Sequence, residues 1–148
     1  MADVVSKETR SRMMSGIRSR NTKPERILRR AMHQHGFRYR LNRPDLPGKP
    51  DIVLPKYRAV IFVHGCFWHV HDCKLFKWPR SNNDFWQNKL LKNAARDVRS
   101  VNDLLVMKWR IAQVWECSLK GPTRMDITQL VEKIAVWLKS DIDRLTIP

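Results

Sequence analysis

Apolar positions recur along this chain in two distinct rhythms, and the changes of rhythm mark its elements. Ile27, Leu28, Ala31 and Met32 follow three- and four-residue spacing, preceded by Thr22 three residues before Glu25, with Pro24 in the first turn, and followed by Gly36. A capping-box spacing at one end and a glycine at the other predict a first helix. Phe37, Tyr39 and Leu41 then alternate with Arg38, Arg40 and Asn42, the period of a half-buried strand. The segment NRPDLPGKP breaks regular structure with its prolines and glycine. After it, DIVL and RAVIFV read as two apolar strands joined by the turn PKY, an antiparallel hairpin.

The helical rhythm returns from about Asp84 to Val106, where Phe85, Leu90, Ala94, Val98, Val101 and Leu105 face one way and a largely basic set faces the other. The run WRIAQVWE predicts another buried strand. Ile127, Leu130, Val131, Ile134 and Leu138 mark a last helix, capped by Asp126 or Thr123. Trp109, Trp115 and Trp137 sit inside these apolar patterns and are expected in the core. The order is αβββαβα, without an internal repeat, and it predicts an α/β fold with a mixed sheet.

A chain of 148 residues fits one domain. Charge narrows the partner: 29 Lys and Arg against 14 Asp and Glu give a formal charge of +15, which points to a polyanion such as nucleic acid. Residues 1–21 carry Lys7, Arg10, Arg12, Arg18 and Arg20 opposed only by Asp3 and Glu8, the composition of a basic arm contacting DNA, ahead of a folded domain over 22–148. No apolar run reaches the roughly 18 residues of a membrane span, and the start MADVVSKETRSR lacks a signal peptide's apolar centre, so a soluble cytoplasmic protein is expected. Three cysteines in a reducing compartment leave free thiols or a metal site in place of a disulfide framework.

Two clusters carry candidate chemistry. Asp51 opens a strand directly after Pro50, and antiparallel pairing brings it near Val63 and His64 at the end of the next strand. A hard cation such as Mg²⁺ takes oxygen ligands, so the Asp51 carboxylate with a backbone carbonyl, waters and a DNA phosphate would complete its shell. The stretch HGCFWHVHDC, His64 to Cys73, supplies the second cluster. Cys66, Cys73 and Cys117 provide three soft ligands for a tetrahedral Zn²⁺, and one histidine completes a Cys₃His set. His71, two residues before Cys73, is the better fourth ligand than His64 or His69; three buried free thiols are the alternative. Zinc held by four protein ligands has no open position for water and is structural. His64 and His69 are then left to orient or deprotonate a water, or to protonate a leaving oxygen.

Pro50-Asp51, IFVHGCFWHVHDC, FWQNKLLKNAARD and VWEC together resemble the very short patch repair (Vsr) endonuclease family over nearly the whole chain. The resemblance implies a restriction-endonuclease-like PD-(D/E)xK fold, here an αβββαβ core flanked by helices. Where such nucleases usually have an acid and a lysine, this chain has Phe62 and His64, so lysine-dependent chemistry is not expected. The resemblance further implies a monomeric Mg²⁺-dependent nickase acting on double-stranded DNA 5′ of the thymine of a T·G mismatch, with other mismatch-repair proteins as partners. It gives the Mg²⁺ ligands as Asp51 and the Val63 carbonyl, and adds Glu25 and Asp97 to the active site. Phe67, Trp68 and Trp86 are implied to intercalate beside the mismatch, with Lys89, Arg12, Met14 and Arg18 as further DNA contacts; Trp78 fits either core or wedge. Read without the family, the same charge, cysteines and aromatics also fit a restriction-type double-strand nuclease or a non-catalytic zinc-stabilised DNA-binding module.

Overall fold

The structure, a computed structural model, describes residues 22–148. The basic arm expected over 1–21, with Arg12, Met14 and Arg18, lies outside the described residues. Thr22 caps the first helix, α1 (Lys23–Gln34): its Oγ1 accepts from the Glu25 N–H at 3.5 Å and donates to Glu25 Oε1 at 3.2 Å. The predicted glycine stop is a Schellman closure, in which Gly36 at φ +101° lets its own N–H reach the His33 carbonyl and the Phe37 N–H reach Met32.

A five-stranded sheet follows in spatial order β1-β2-β3-β4-β5. Strands β1 (Arg40–Leu41), β2 (Ile52–Leu54) and β3 (Ala59–His64) pair antiparallel, and the expected hairpin turns through a 3₁₀ turn at Pro55–Tyr57 with Arg58 left-handed at φ +48°. β3 then pairs in parallel with β4 (Arg110–Trp115) across helix α2 (Asn83–Val106), and β4 with β5 (Arg144–Ile147) across helix α3 (Ile127–Leu138). Asp126, and not Thr123, caps α3, accepting from the Thr128 N–H at 2.7 Å.

Alternation along β3 and β4 divides the core in two. Ile61, Ala112 and Val114 join Leu28 and Met32 of α1 and Leu130, Val131 and Ile134 of α3 on one face. Val60, Phe62 and Ile111 join Val101 and Leu104 of α2 and Trp109 on the other. Burying three large side chains such as Leu28, Leu130 and Ile134 contributes on the order of 5 to 8 kcal/mol before entropy is counted. Gly48 is needed where its loop crosses α2: a Cβ there would stand 2.8 Å from the Ser100 Cβ.

The structure departs from the sequence pattern in four places. The first strand is only Arg40–Leu41, because the Phe37 N–H is used to close α1 and β2, starting after Pro50 and ending at Pro55, offers a short ladder. A fifth strand, β5, was not expected; its four residues are too few for a clear alternation. Phe85 and Val98 of the α2 stripe are 59% and 60% exposed, and Leu90, Val101 and Leu104 are the positions that bury. Trp109 and Trp137 are core as expected, but Trp115 is half-buried and belongs to the site described next.

Candidate active site and metal centre

The register of the hairpin places Asp51 one residue beyond the Ile52–Ile61 pair, at the end of β3 where the ladder stops. Its Oδ2 accepts from the Val63 N–H at 2.6 Å. Burial, reinforced by the negative charge of Glu25, raises the Asp51 carboxyl from 3.8 to about 7; the Val63 N–H and the positive charge of Arg29 pull the other way. Glu25 is itself buried. Helix α1 thus delivers Glu25 and Arg29, four residues apart on one face, to the strand end that holds Asp51. Two neighbouring acids, Glu25 buried and Asp51 half-buried, suit a hard divalent cation, whose charge would offset their repulsion.

His64 follows Val63 directly and is 4% exposed. Burial, helped by the neighbouring His69, lowers its imidazole from 6.5 to about 3 against the opposing pull of Asp97, so it is neutral at physiological pH. The His64 and His69 rings lie 4.3 Å apart, His69 Nδ1 is hydrogen-bonded to Asp97 Oδ2, and ligand-type atoms of His64, His69 and Asp97 all fall within 4.8 Å of one another. An imidazole held by a carboxylate through Nδ1 has Nε2 aimed outward as a proton acceptor.

The second cluster contains Cys66, His71, Cys73 and Cys117, with one ligand-type atom from each within 4.8 Å of the rest. His71 Nδ1 stands 3.5 Å from Cys66 Sγ and 3.6 Å from Cys117 Sγ. Tetrahedral zinc with its usual bond lengths separates nitrogen and sulfur ligands by about 3.6 Å. Burial pushes the Cys66 and Cys117 thiols up, so without a cation these two stay protonated. The donor set and spacing fit a soft or borderline ion. Glu116 steadies the cluster from the side, accepting from the Cys66 N–H at 3.1 Å while Lys120 pairs with its other oxygen at 2.8 Å.

One turn of backbone separates the two clusters. The His71 N–H reaches the Cys66 carbonyl at 3.0 Å and the Val70 N–H the Phe67 carbonyl at 3.4 Å, with Val70 left-handed at φ +54°. This repeats the closure that ends α1, with a β-branched residue where α1 has Gly36. Valine there costs on the order of 1 to 2 kcal/mol. The reversal sends His69 toward Asp97 on α2 and His71 toward the thiols.

Phe67, Trp68 and Trp86 meet edge to face or tilted, with centroids 5.2 to 5.9 Å apart, all half-buried. The patch is larger than the sequence reading held: Phe76 packs on Phe67, Trp78 on Phe76 and Phe85 on Trp86. Trp78 thereby joins the aromatic patch. Asn93 of α2 donates to the Trp68 carbonyl at 3.3 Å and ties the loop to the helix, while Lys89 is exposed one turn earlier.

The structure therefore brings Asp51, Glu25, His64, His69 and Asp97 to one end of β3, with Cys66, His71, Cys73 and Cys117 beside them and Phe67 and Trp68 in the same loop, packed on Trp86. Sequence reading missed Arg29, Gln113, Trp115 and Glu116. Arg29 carried a signal, standing four residues from Glu25; polar Gln113 inside an apolar strand carried another. Among the described residues no helix is long and apolar enough to cross a membrane.

Comparison with known proteins identifies the family. The family model for DNA mismatch endonuclease Vsr matches residues 2–75. The type II nicking enzyme V.XorIIP of Xanthomonas oryzae pv. oryzae is 49% identical over 119 residues, 80% of this chain and 88% of the relative. The DNA mismatch endonuclease Vsr of Escherichia coli is 43% identical over 138 residues, covering 93% and 88%. The type II nicking enzyme V.NmeAIP of Neisseria meningitidis is 43% identical over 136 residues, covering 90% and 97%. With a family match over half its length and relatives this similar over most of theirs, the chain belongs to the Vsr family of DNA mismatch endonucleases.

Proposed function

We propose that this endonuclease nicks one strand of duplex DNA 5′ of the thymine in a T·G mismatch, in a Mg²⁺-dependent reaction that starts very short patch repair. The observation that carries this reading is the half-buried Asp51 carboxylate, which accepts from the N–H of the residue before His64, so that a candidate cation site and an imidazole pair abut at one strand end. The relatives' names give mismatch endonuclease and nicking enzyme, which favours single-strand cutting over a restriction-type double-strand break.

Asp51 and the Val63 carbonyl would hold Mg²⁺, with Glu25 holding its waters. When bound, Mg²⁺ would lower the pKa of a coordinated water and offset the negative charge that builds on the phosphate. His69, oriented by Asp97, takes the proton of the attacking water, and His64 contacts the reacting phosphodiester. Cys66, His71, Cys73 and Cys117 would hold Zn²⁺, a structural ion without an open position. Phe67, Trp68 and Trp86 enter the base step beside the mismatch, which opens at lower cost than a paired step. Lys89 and the arm residues Arg12, Met14 and Arg18 complete the DNA contacts. The enzyme acts as a monomer in the cytoplasm.

A cleavage assay on T·G-mismatched and fully paired duplexes, with Mg²⁺ and then with EDTA, tests the function. Nicking confined to the mismatched duplex and abolished by EDTA is expected. Cutting of both duplexes, or of neither, would contradict the proposal, the latter pointing to a binding module.

A further inference from the structure

Strand β4 presents one uncharged polar side chain, Gln113, in a row that otherwise carries Ile111 and Trp115. The two ends of its amide have different neighbours. Gln113 Oε1 accepts from Arg144 Nη2 at 3.4 Å, and Gln113 Nε2 faces His64 Nε2 at 3.4 Å. A guanidinium has only donors, so Arg144 decides which end of the amide is oxygen and leaves the NH₂ group directed at the imidazole. Two donors cannot share that contact. His64 Nε2 must therefore carry the lone pair, and Nδ1 the proton.

His69 has the opposite outcome from the same tautomer. Asp97 only accepts, so His69 also carries its proton on Nδ1, but its bare Nε2 faces away from that partner. In His64 the bare nitrogen is the one covered by Gln113, and the N–H is what remains to face the site. Resting on the nicking function proposed above, we infer that Gln113, oriented by Arg144, is a positioning residue that fixes His64 as an Nδ1–H hydrogen-bond donor and leaves His69 as the proton acceptor. No proton leaves His64 in this scheme. Its N–H meets an oxygen of the scissile phosphodiester; the water oxygen bonds to phosphorus as its proton passes to His69 Nε2, the P–O3′ bond breaks, and the leaving 3′ oxygen takes a proton from solvent water.

The tautomers can be read directly by long-range ¹H–¹⁵N spectroscopy of the full-length protein labelled in histidine, with His64 assigned by the signal lost in His64→Ala. Wild-type His64 is expected to be protonated at Nδ1 and bare at Nε2. Gln113→Glu, whose carboxylate accepts, should move the proton to Nε2 and slow single-turnover nicking of a T·G duplex by roughly 10²-fold. Binding of that duplex should be unchanged. Arg144→Met, at an exposed position, should free the amide and give a mixture of tautomers. A wild-type His64 protonated at Nε2, or a tautomer unmoved in both variants, would overturn the inference, as would a normal nicking rate in Gln113→Glu. Wild-type nicking by His64→Ala would instead remove His64 from the proposed reaction, a failure distinct from that of the Gln113–His64 tautomer.

Discussion

The indole of Trp115 lies flat on the imidazole of His71, with centroids 4.0 Å apart and planes 10° apart. The same indole touches His64 at 4.9 Å and His69 at 6.3 Å. The cysteine cluster and the His64–His69 pair thus share a wall, so loss of the first should disturb the second.

Removing His71 and removing His69 should therefore fail differently. A structural metal ligand carries folding energy, whereas a proton acceptor carries only transition-state stabilisation. His71→Ala, like Cys66→Ala, Cys73→Ala or Cys117→Ala, should lose bound zinc, much of its thermal stability, and nicking with them. His69→Ala should keep one zinc per chain and fold normally, yet nick more slowly by roughly 10² to 10⁴. Zinc content by atomic absorption beside single-turnover rates checks both; zinc lost from His69→Ala and kept by His71→Ala would reverse the assignment.

The aromatic patch should discriminate between duplexes. Phe67 and Trp68 meet each other and Trp86. Stacking on a base is worth on the order of 1 to 3 kcal/mol, and a mismatched step opens more readily. The double variant Phe67→Ala, Trp68→Ala should therefore weaken binding to a T·G duplex more than to a paired one. Fluorescence anisotropy with both duplexes measures this; equal losses would make the aromatics ordinary packing.

Asp51 gives a pH-dependent prediction for the metal-free protein. Its carboxyl is raised from 3.8 to about 7 on folding, chiefly by burial. Between those values the folded state keeps a proton that the unfolded chain has lost, so stability falls as pH rises through this window and stays lower above it. Asp51→Asn keeps an acceptor for the Val63 N–H without the charge. In EDTA it should match the wild type near pH 4 and exceed it at pH 8, by on the order of 1 to 3 kcal/mol once solvent at the rim is allowed for. Thermal melts at both pH values decide this; a variant no more stable at pH 8 would contradict the burial of a costly charge.

Much of the frame was legible in residue patterns because local chemistry specified it. Thr22, Glu25 and Gly36 bound α1, and two apolar runs around PKY form the hairpin that places Asp51 near Val63. What escaped depends on contacts distant in sequence. β5 is four residues whose pairing with β4 is purely tertiary. Trp115 reads as core in an apolar strand and becomes a shared wall only because His71 returns to it. Val70 gives no sign of a left-handed turn, since local preference there is overridden by the hydrogen bonds on either side. The aromatic patch was expected around Phe67, Trp68 and Trp86, but Phe76, Trp78 and Phe85 extend it through side-chain packing that spacing alone does not reveal.

The central claim is that Asp51 holds the ion for strand cleavage while other groups hold the DNA. Single-turnover nicking and equilibrium binding of a T·G duplex in Mg²⁺, measured in parallel for the wild type and Asp51→Asn, test it most directly. Phosphate contacts dominate affinity, so the variant should bind within about tenfold of the wild type. Its nicking should be abolished. An Asp51→Asn protein that nicks at a near-normal rate would contradict the account.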